Sequence, residues 1–409
     1  MSKKHIIILL LILSLAIILR SIPVWTNYTW GADFGIYYGI TSRLITNQQI
    51  YVPYDGWGGT YNYFPILYIV SAFSHWLTGM KLIWVMPRVA PIFGGFTVLI
   101  FYFIVYNLTK KRNLALLSSA FLAVAPFHVY QTSHAAPLTM GHFFMMLSLY
   151  LFIKYTMENK YPVLLMFSST LLIMSHHLTT YFYAISLFSI IIFKSMQKNI
   201  KQLNRDITYF VTFSTMMFLY WALIATPVFR NIFKRGLPFH PVGTVMLFYA
   251  LFFSALLLVY LIKKYRQNWV ETLQKIIGYK RPFNHKIALT YFLVSIFTVF
   301  SLEIFFMTTP FPVSGIRMTT LGFFFSIPFV LFIGLGFMGL EYLRKTENNW
   351  FFQGYSIALT LSLCYALLTE SHVFYPDRHI EYLVIPVSFF ASLAVLTFYE
   401  KDVKIDFKF

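Results

Sequence analysis

Cysteine and acidic residues are scarce in this chain of 409 residues, which has one cysteine, Cys364, and 14 acidic side chains against 32 basic ones. A single cysteine excludes an internal disulfide framework. Charged residues of both signs make up only 11% of the chain, and no stretch has the composition of a soluble domain. Because acids are so few, each one beside an apolar segment is a candidate for chemistry.

Long apolar segments are what the chain has instead. Hydrophobic residues make up 58% of it, including 46 Phe, and they fall in blocks long enough to cross a bilayer as helices. The pattern predicts an all-α polytopic membrane protein, a single transmembrane domain over 1–409 with about 12 spans (11 to 13). The predicted spans are 5–22, 89–107, 114–132, 138–156, 161–176, 178–194, 207–227, 242–262, 287–308, 318–340, 350–370 and 380–399.

The stretch 61–79 is apolar too, but it is interrupted by Asn62, Pro65 and His75. If it does not span and the N-terminus is cytoplasmic, 23 of the 32 basic residues lie inside, as the positive-inside rule requires. We therefore expect a long first outer loop, 23–88, with interfacial or re-entrant helices. The protein would be a multi-pass protein of the cell membrane with both termini cytoplasmic and its active face external.

The net charge of +18 could suggest a nucleic-acid partner. The Lys and Arg residues, however, sit in short clusters between the apolar blocks, where they orient helices in a membrane. Membrane lipids, and no nucleic acid, are the partners that this pattern predicts.

Asp33 is the leading catalytic candidate. It lies in Trp30-Gly-Ala-Asp-Phe-Gly-Ile-Tyr-Tyr38, just beyond the first span and before a helix-like stretch at 35–45. A carboxylate there can act as a general base that takes a proton from an acceptor. The alternative is an N-cap for the helix that follows, since Asp is a favoured capping residue.

Three histidines of the outer face are candidates for substrate binding. His176 and His177 interrupt apolar sequence in Ser175-His-His-Leu-Thr179, and adjacent side chains on a helix point about 100° apart, which argues against both binding one metal ion. His134 lies in a similar turn, 130–137. For all three, the alternative is a polar turn that joins two spans.

Arg378, in Tyr375-Pro-Asp-Arg-His-Ile-Glu-Tyr382, lies at the outer mouth of the last span, and Arg317 occupies the corresponding place before the span at 318–340. Guanidinium groups bind phosphate in a bidentate manner. These exceptions to the charge rule favour an anionic ligand over simple anchoring to lipid headgroups.

Two further acids belong to the predicted outer face and complete the set of substrate-binding candidates. Glu303 lies in the outer half of an apolar span, where a carboxylate costs roughly 2.5 to 3.5 kcal/mol to insert, so it should pair with a basic residue or line a cavity. Asp55 lies within the first outer loop.

Three further motifs accompany Asp33 in the first outer loop and the Arg378 motif: Tyr63-Phe-Pro-Ile-Leu67, Pro87-Arg-Val-Ala-Pro91-Ile-Phe-Gly-Gly95 and 120–126. Together they resemble the GT-C superfamily of integral-membrane glycosyltransferases, which use polyprenyl-phosphate-linked sugars. The resemblance implies a catalytic Asp33, cationic Arg378 and Arg317 on the lipid phosphate, a polyprenyl-phosphate-sugar donor, and a lipid-linked or protein acceptor.

Two departures from the oligosaccharyltransferase members refine this expectation. Those catalytic subunits have a large soluble domain and acidic metal ligands in the second outer loop, whereas the stretch 134–139 here has no acid. This favours a metal-independent transferase of a single sugar with no cofactor, although a divalent metal stays open. Direct displacement by an acceptor that one carboxylate activates implies inversion at the anomeric carbon. The alternative is a lipid-linked oligosaccharide flippase or transporter, which would also need a basic cavity, but transporters usually show repeated halves and broken helices.

Overall fold

The computed structural model describes residues 3–27, 29–51, 53–54, 59–197, 203–232, 240–265, 284–310, 317–343, 348–369 and 374–399. Throughout these residues the regular structure is helical, with no strand. The α-helices are α1 (Lys3–Thr26), α2 (Phe34–Asn47), α3 (Ile66–Thr78), α4 (Leu82–Thr109), α5 (Arg112–Val124), α6 (Pro126–Gln131), α7 (Pro137–Glu158), α8 (Pro162–Ile173), α9 (His177–Gln197), α10 (Asn204–Leu223), α11 (Thr226–Asn231), α12 (Pro241–Tyr265), α13 (His285–Thr308), α14 (Thr320–Leu343), α15 (Trp350–Leu368) and α16 (Pro376–Tyr399).

The prediction of an all-α polytopic membrane protein is confirmed. Within the described residues, nine helices are long and apolar enough to cross a membrane: α1, α4, α7, α9 and α12 to α16. The remaining predicted spans are helical as well, but α5 and α8 have only 13 and 12 residues. A count of twelve spans stays a prediction.

Proline explains the largest difference from the predicted spans. The block 114–132 divides into α5 and α6 because Pro126 has no backbone N–H to continue the hydrogen-bond ladder, and Ala125 before it is extended with φ −62° and ψ 114°. Helix α5 therefore ends at Val124, and α6 ends at Gln131, just before the turn 132–136, which the next subsection places in the site.

The segment predicted as the first outer loop contains α2, a 3₁₀ turn at Tyr61–Tyr63, and α3. Helix α1 continues to Thr26 and α4 begins at Leu82, so the connection is shorter than 23–88. With 13 residues, α3 is roughly 20 Å long, less than the hydrocarbon thickness of about 30 Å. The side of the membrane on which this segment lies stays a prediction.

Glycine permits the close packing of the helices that carry the site. Helix α4 packs against α1, α3, α5 and α7, while α16 packs against α14, α15 and α5. A Cβ on Gly354 of α15 would lie 2.6 Å from the Cα of Ile190 on α9, and one on Gly339 of α14 would overlap the carbonyl of Phe390 on α16. Small residues are how membrane helices approach so closely.

Two buried cations connect helices that are distant in sequence. The fully buried Arg20 of α1 donates to Thr132 Oγ1 (2.7 Å), to His128 Nδ1 (2.7 Å) and to the carbonyl of Ala123 (3.1 Å). At the other end of the bundle, Lys194 Nζ of α9 pairs with Asp206 Oδ2 of α10 at 2.5 Å. Buried charges need such partners.

Candidate functional site

Asp33 stands in the N-cap position of α2, but its side chain makes no capping hydrogen bond. Its backbone carbonyl accepts from the N–H groups of Ile36 (3.0 Å) and Tyr37 (3.2 Å). Asp33 therefore occupies the N-cap position, but only its backbone takes part in hydrogen bonds of the helix. Its carboxylate has other partners.

Two tyrosine hydroxyls hold the Asp33 carboxylate. Tyr61 donates to Oδ2 at 3.0 Å and Tyr37 at 3.4 Å. Burial, together with the nearby Asp33 carboxylate, raises the pKa of Tyr61 to about 12, so this phenol keeps its proton and remains a donor at neutral pH. Sequence analysis had no signal for either residue, because the chain contains 29 tyrosines.

The turn before Asp33 packs on the turn between α6 and α7. Trp30 Nε1 donates to Ser133 Oγ at 2.8 Å, and its ring meets Tyr130 edge to face with centroids 6.1 Å apart. Gly31 has φ +104°, and a Cβ there would lie 3.2 Å from His134 Cβ. Glycine at this position therefore lets the Asp33 turn lie directly against His134.

His134 is within electrostatic range of both charged residues that the sequence singled out. Burial, then the positive charge of Arg378, lowers the pKa of His134 to about 4, while Asp33 opposes this shift. His134 is therefore neutral at pH 7 in the presence of one acid and one cation. Asp33 and Arg378, 345 positions apart in the chain, belong to one cluster.

Arg378 is in the first turn of α16. Its Nη1 donates to Gln131 Oε1 at 2.5 Å and lies 3.9 Å from Glu381 Oε2, and about a third of its side chain (35%) is exposed. Tyr37, which holds Asp33, is within electrostatic range of the same guanidinium. The guanidinium of Arg378 is thus held by Gln131 and Glu381, and part of it remains accessible to a ligand.

A buried pair supports Arg378 from behind. Glu381 is 1% exposed, and its Oε1 lies 3.7 Å from Nε2 of the fully buried His142. The His142 ring stacks on Tyr382 with centroids 4.3 Å apart. Sequence analysis did not single out Glu381 or His142; the available signal was an acid three residues after Arg378 in an apolar span, the spacing of one helix face.

His176 begins the turn into α9. Its Nδ1 accepts from the backbone N–H of Thr179 (3.3 Å) and is hydrogen-bonded to Thr179 Oγ1 (2.8 Å), which in turn bonds the Tyr382 hydroxyl (2.5 Å). Burial, with smaller effects of His177 and Arg378, lowers the pKa of His176 well below its ordinary value. The side chain serves the polar turn and also lies within electrostatic range of Arg378.

His177 is the first residue of α9, whereas His176 lies in the turn before it, so the 100° spacing of a helix does not apply to this pair. The His177 ring contacts Phe64 with centroids 5.3 Å apart and lies 5.0 Å from the His176 ring. Phe64 follows the 3₁₀ turn that supplies Tyr61, so His177 lies against the segment that holds Asp33. Its role in substrate binding stays a prediction.

The other predicted residues lie apart from this cluster or outside the described residues. Glu303 of α13 accepts from Ser326 Oγ of α14 at 2.9 Å. Arg317 is exposed just before α14, and within the described residues neither makes a hydrogen bond or ion pair with Asp33 or Arg378. Asp55 lies outside the described residues, and in the part that is described no three His, Cys, Asp or Glu side chains form a metal-binding group.

Comparison with known proteins finds a similar structure but no similar sequence. No protein-family model matches the chain, and no curated protein matches it in sequence. Among solved structures it is similar to the oligosaccharyltransferase of Archaeoglobus fulgidus in the apo form, with a TM-score of 0.58 and 15% identity, covering 98% of this chain. The chain matches about half (51%) of that protein. The two proteins therefore share a fold over nearly all of this chain.

Proposed function

We propose that the protein is a membrane glycosyltransferase that moves a single sugar from a polyprenyl-phosphate-linked donor to a lipid-linked or protein acceptor, with inversion and without a metal. The observation that carries the proposal is the convergence of Asp33 and Arg378 on His134. The fold shared with an archaeal oligosaccharyltransferase and the resemblance of the sequence to GT-C enzymes support the same reaction class.

In the proposed reaction, Asp33 is the general base. An acceptor hydroxyl or amide attacks the anomeric carbon and gives its proton to the Asp33 carboxylate. The bond from the anomeric carbon to the phosphate oxygen breaks, and its electron pair leaves with the polyprenyl phosphate. One direct displacement gives inverted configuration.

Arg378 would hold the phosphate as negative charge develops on it. Its guanidinium is accessible in front and fixed behind by Gln131 and Glu381, the preorganisation that electrostatic catalysis requires. His134 and His176, neutral at pH 7, would donate or accept hydrogen bonds to the sugar without adding charge. Tyr37 and Tyr61 orient the base.

The test is sugar transfer by the purified protein from a set of short-chain polyprenyl-phosphate sugars, followed as release of polyprenyl phosphate and gain of sugar mass by membrane-extract acceptors. Asp33→Asn keeps the size of the side chain but does not accept a proton, and we expect transfer to fall by about 10² to 10⁴.

The structure also supplies a control for this experiment. The Asp33 side chain makes no capping bond but accepts from Tyr61 and Tyr37. Asp33→Asn keeps an acceptor oxygen for both hydroxyls, so this variant should elute and melt as wild type does. Wild-type rates in the Asn variant would remove Asp33 as the base. Movement of the donor across vesicles without covalent transfer would favour a flippase instead.

A further inference from the structure

Helix α2 has a face that the proposed chemistry does not use. Its buried face, which includes Tyr37, Thr41 and Leu44, packs towards α3 and α4, and Thr41 Oγ1 reaches Met86 of α4. Beside this face, and sharing the buried Ile40 with it, lies a cavity of about 250 Å³ lined by Gly35, Ile36, Gly39, Ile40, Arg43 and Tyr54.

Two glycines keep this cavity open. A Cβ on Gly35 or on Gly39 would meet no atom within 4 Å. The missing side chains therefore leave space empty and do not allow another helix to pack closely. Glycine inside a helix costs about 0.5 to 1 kcal/mol relative to alanine, and here no neighbouring helix requires it. An unfilled groove is what the two residues provide.

The groove is apolar in the middle and cationic at one end. Ile36 and Ile40 form its floor, and the exposed Arg43 closes the end away from Asp33, with its Nη1 3.2 Å from the carbonyl of Pro53, the one hydrogen bond it makes to the described residues. Ten residues of helix separate Asp33 from Arg43, roughly 15 Å. A ligand that spans this groove would have a reacting group at one end and an anionic group at the other.

The position of the groove suits the second substrate. Arg378 donates to Gln131 of α6, and His134 lies in the turn that follows α6, whereas the groove is lined by residues of α2 and by Tyr54. Inverting displacement needs the nucleophile and the leaving group on opposite faces of the anomeric carbon. The donor phosphate at Arg378 therefore leaves the groove to the acceptor.

We infer that the α2 groove binds a lipid-linked acceptor and that Arg43 binds its phosphate. This inference rests on the proposed function, since it takes Asp33 and Arg378 as the reacting centre. A phosphate beside an apolar floor matches a prenyl phosphate amphiphile, and the small volume suits a sugar-sized group better than a folded peptide segment. Guanidinium binds phosphate through a charge-assisted fork.

The experiment is equilibrium binding of radiolabelled geranylgeranyl phosphate to the full chain in detergent, with geranylgeraniol as the probe lacking phosphate. Wild type should bind two equivalents. Arg43→Gln should lose one of them, or weaken it at least tenfold, because a charge-assisted hydrogen bond is lost. Arg112→Gln, at another exposed arginine, should keep both.

Filling the groove tests its shape separately from its charge. Gly39→Leu should remove the same equivalent although Arg43 is present, while Gly39→Ala leaves most of the volume and should bind as wild type. If Gly39→Leu fails to fold, Arg43→Gln alone decides. Retention of both equivalents by Arg43→Gln, or by a folded Gly39→Leu, would overturn the inference.

Two more outcomes distinguish a lipid phosphate from free phosphate, and the Arg43 site from the Arg378 site. Equal competition by inorganic phosphate at this position would mean a free-phosphate site and overturn the lipid-linked acceptor. In Arg378→Ala the Arg43 equivalent should persist and the other should be lost. If Arg378→Ala keeps both while Arg43→Gln loses one, the proposed donor site fails and the groove stands.

Discussion

Arg378 is held by two partners with different chemistry, an amide at Gln131 and a carboxylate at Glu381. A planar fork can satisfy both while still presenting N–H groups forward, whereas an ammonium group has one point of charge. Geometry at this residue, as well as charge, should therefore matter for binding phosphate.

We predict that Arg378→Lys retains part of the donor affinity and that Arg378→Ala loses about ten- to hundredfold, the equivalent of roughly 1.5 to 3 kcal/mol. Binding of a polyprenyl-phosphate sugar to the purified variants measures this. Since Arg378→Ala also leaves Glu381 with one partner fewer in a buried place, the Arg378→Ala/Glu381→Gln double variant controls for lost stability. Undiminished affinity in the alanine variant would exclude Arg378 from the site.

His134 makes stability depend on pH. Its pKa of about 4 in the folded protein lies below the ordinary value of about 6.5, so between those values the unfolded chain binds a proton that the folded chain does not. Stability should thus be full above pH 6.5 and fall as the pH drops towards 4.

The measurement is the melting temperature in detergent between pH 7.5 and 4.5. His134→Gln should show a smaller decline than wild type, and His240→Gln, at an exposed histidine before α12, should follow wild type. An identical decline in all three proteins would show that His134 does not contribute.

At the residue level, the sequence identified part of the cluster. Asp33 and Arg378 stood out because acids are scarce and because a cation on the predicted outer face breaks the charge rule, and His134 stood out as a polar residue in a turn. Tyr37 and Tyr61 belong to an abundant residue type, and His142 and Glu381 lie within apolar blocks, so only folding brings these residues to the cluster.

At the level of helices, α16 sets the position of Arg378 through the contact of Gly339 with Phe390. Gly339→Ala would place a Cβ on the Phe390 carbonyl, so α14 and α16 must separate. The mechanism is overpacking, which typically costs 1 to 3 kcal/mol.

We predict that Gly339→Ala lowers resistance to chemical denaturation and weakens donor binding as α16 shifts. Gly243→Ala on α12 is the matched control, because a Cβ there meets nothing within 4 Å, and it should be neutral or slightly stabilising. Equal denaturation midpoints for the two variants would refute close contact between α14 and α16.

Apolar periodicity predicted where helices occur but not where they stop. All twelve predicted blocks contain helix, yet α5 and α6 separate at Pro126 and α8 ends at Ile173 before the turn that presents His176. Hydropathy averaged over a block does not register a single proline or a polar turn, and both breaks belong to the site.

For the whole molecule, the arrangement of the site depends on sidedness. We predict that 107–113 is cytoplasmic and that the segment between α1 and α4 is external, from the partition of 23 basic residues against 9. Impermeant thiol labelling of single cysteines in a Cys364→Ala background checks this.

A cysteine at position 111 should react only after the membrane is opened, and one at position 29 should react in intact cells. Both positions are exposed, so a failure to react reports the side of the membrane. Labelling of position 111 from outside would reverse the predicted topology while leaving the fold intact.

Arg20 has a consequence for how the protein is made. When α1 enters the membrane, His128 and Thr132 have yet to be synthesised, and 108 residues separate Arg20 from His128. At about 5 to 20 residues per second this is a delay of roughly 5 to 20 s. During that time the Arg20 side chain must extend to the lipid interface to keep its guanidinium solvated. Helix α1 can therefore pack in its final position only after α5 and α6 have been inserted. The turn that carries Asp33 is thus the first part of the site to be translated, but it is fixed in place only after the His134 turn has been made.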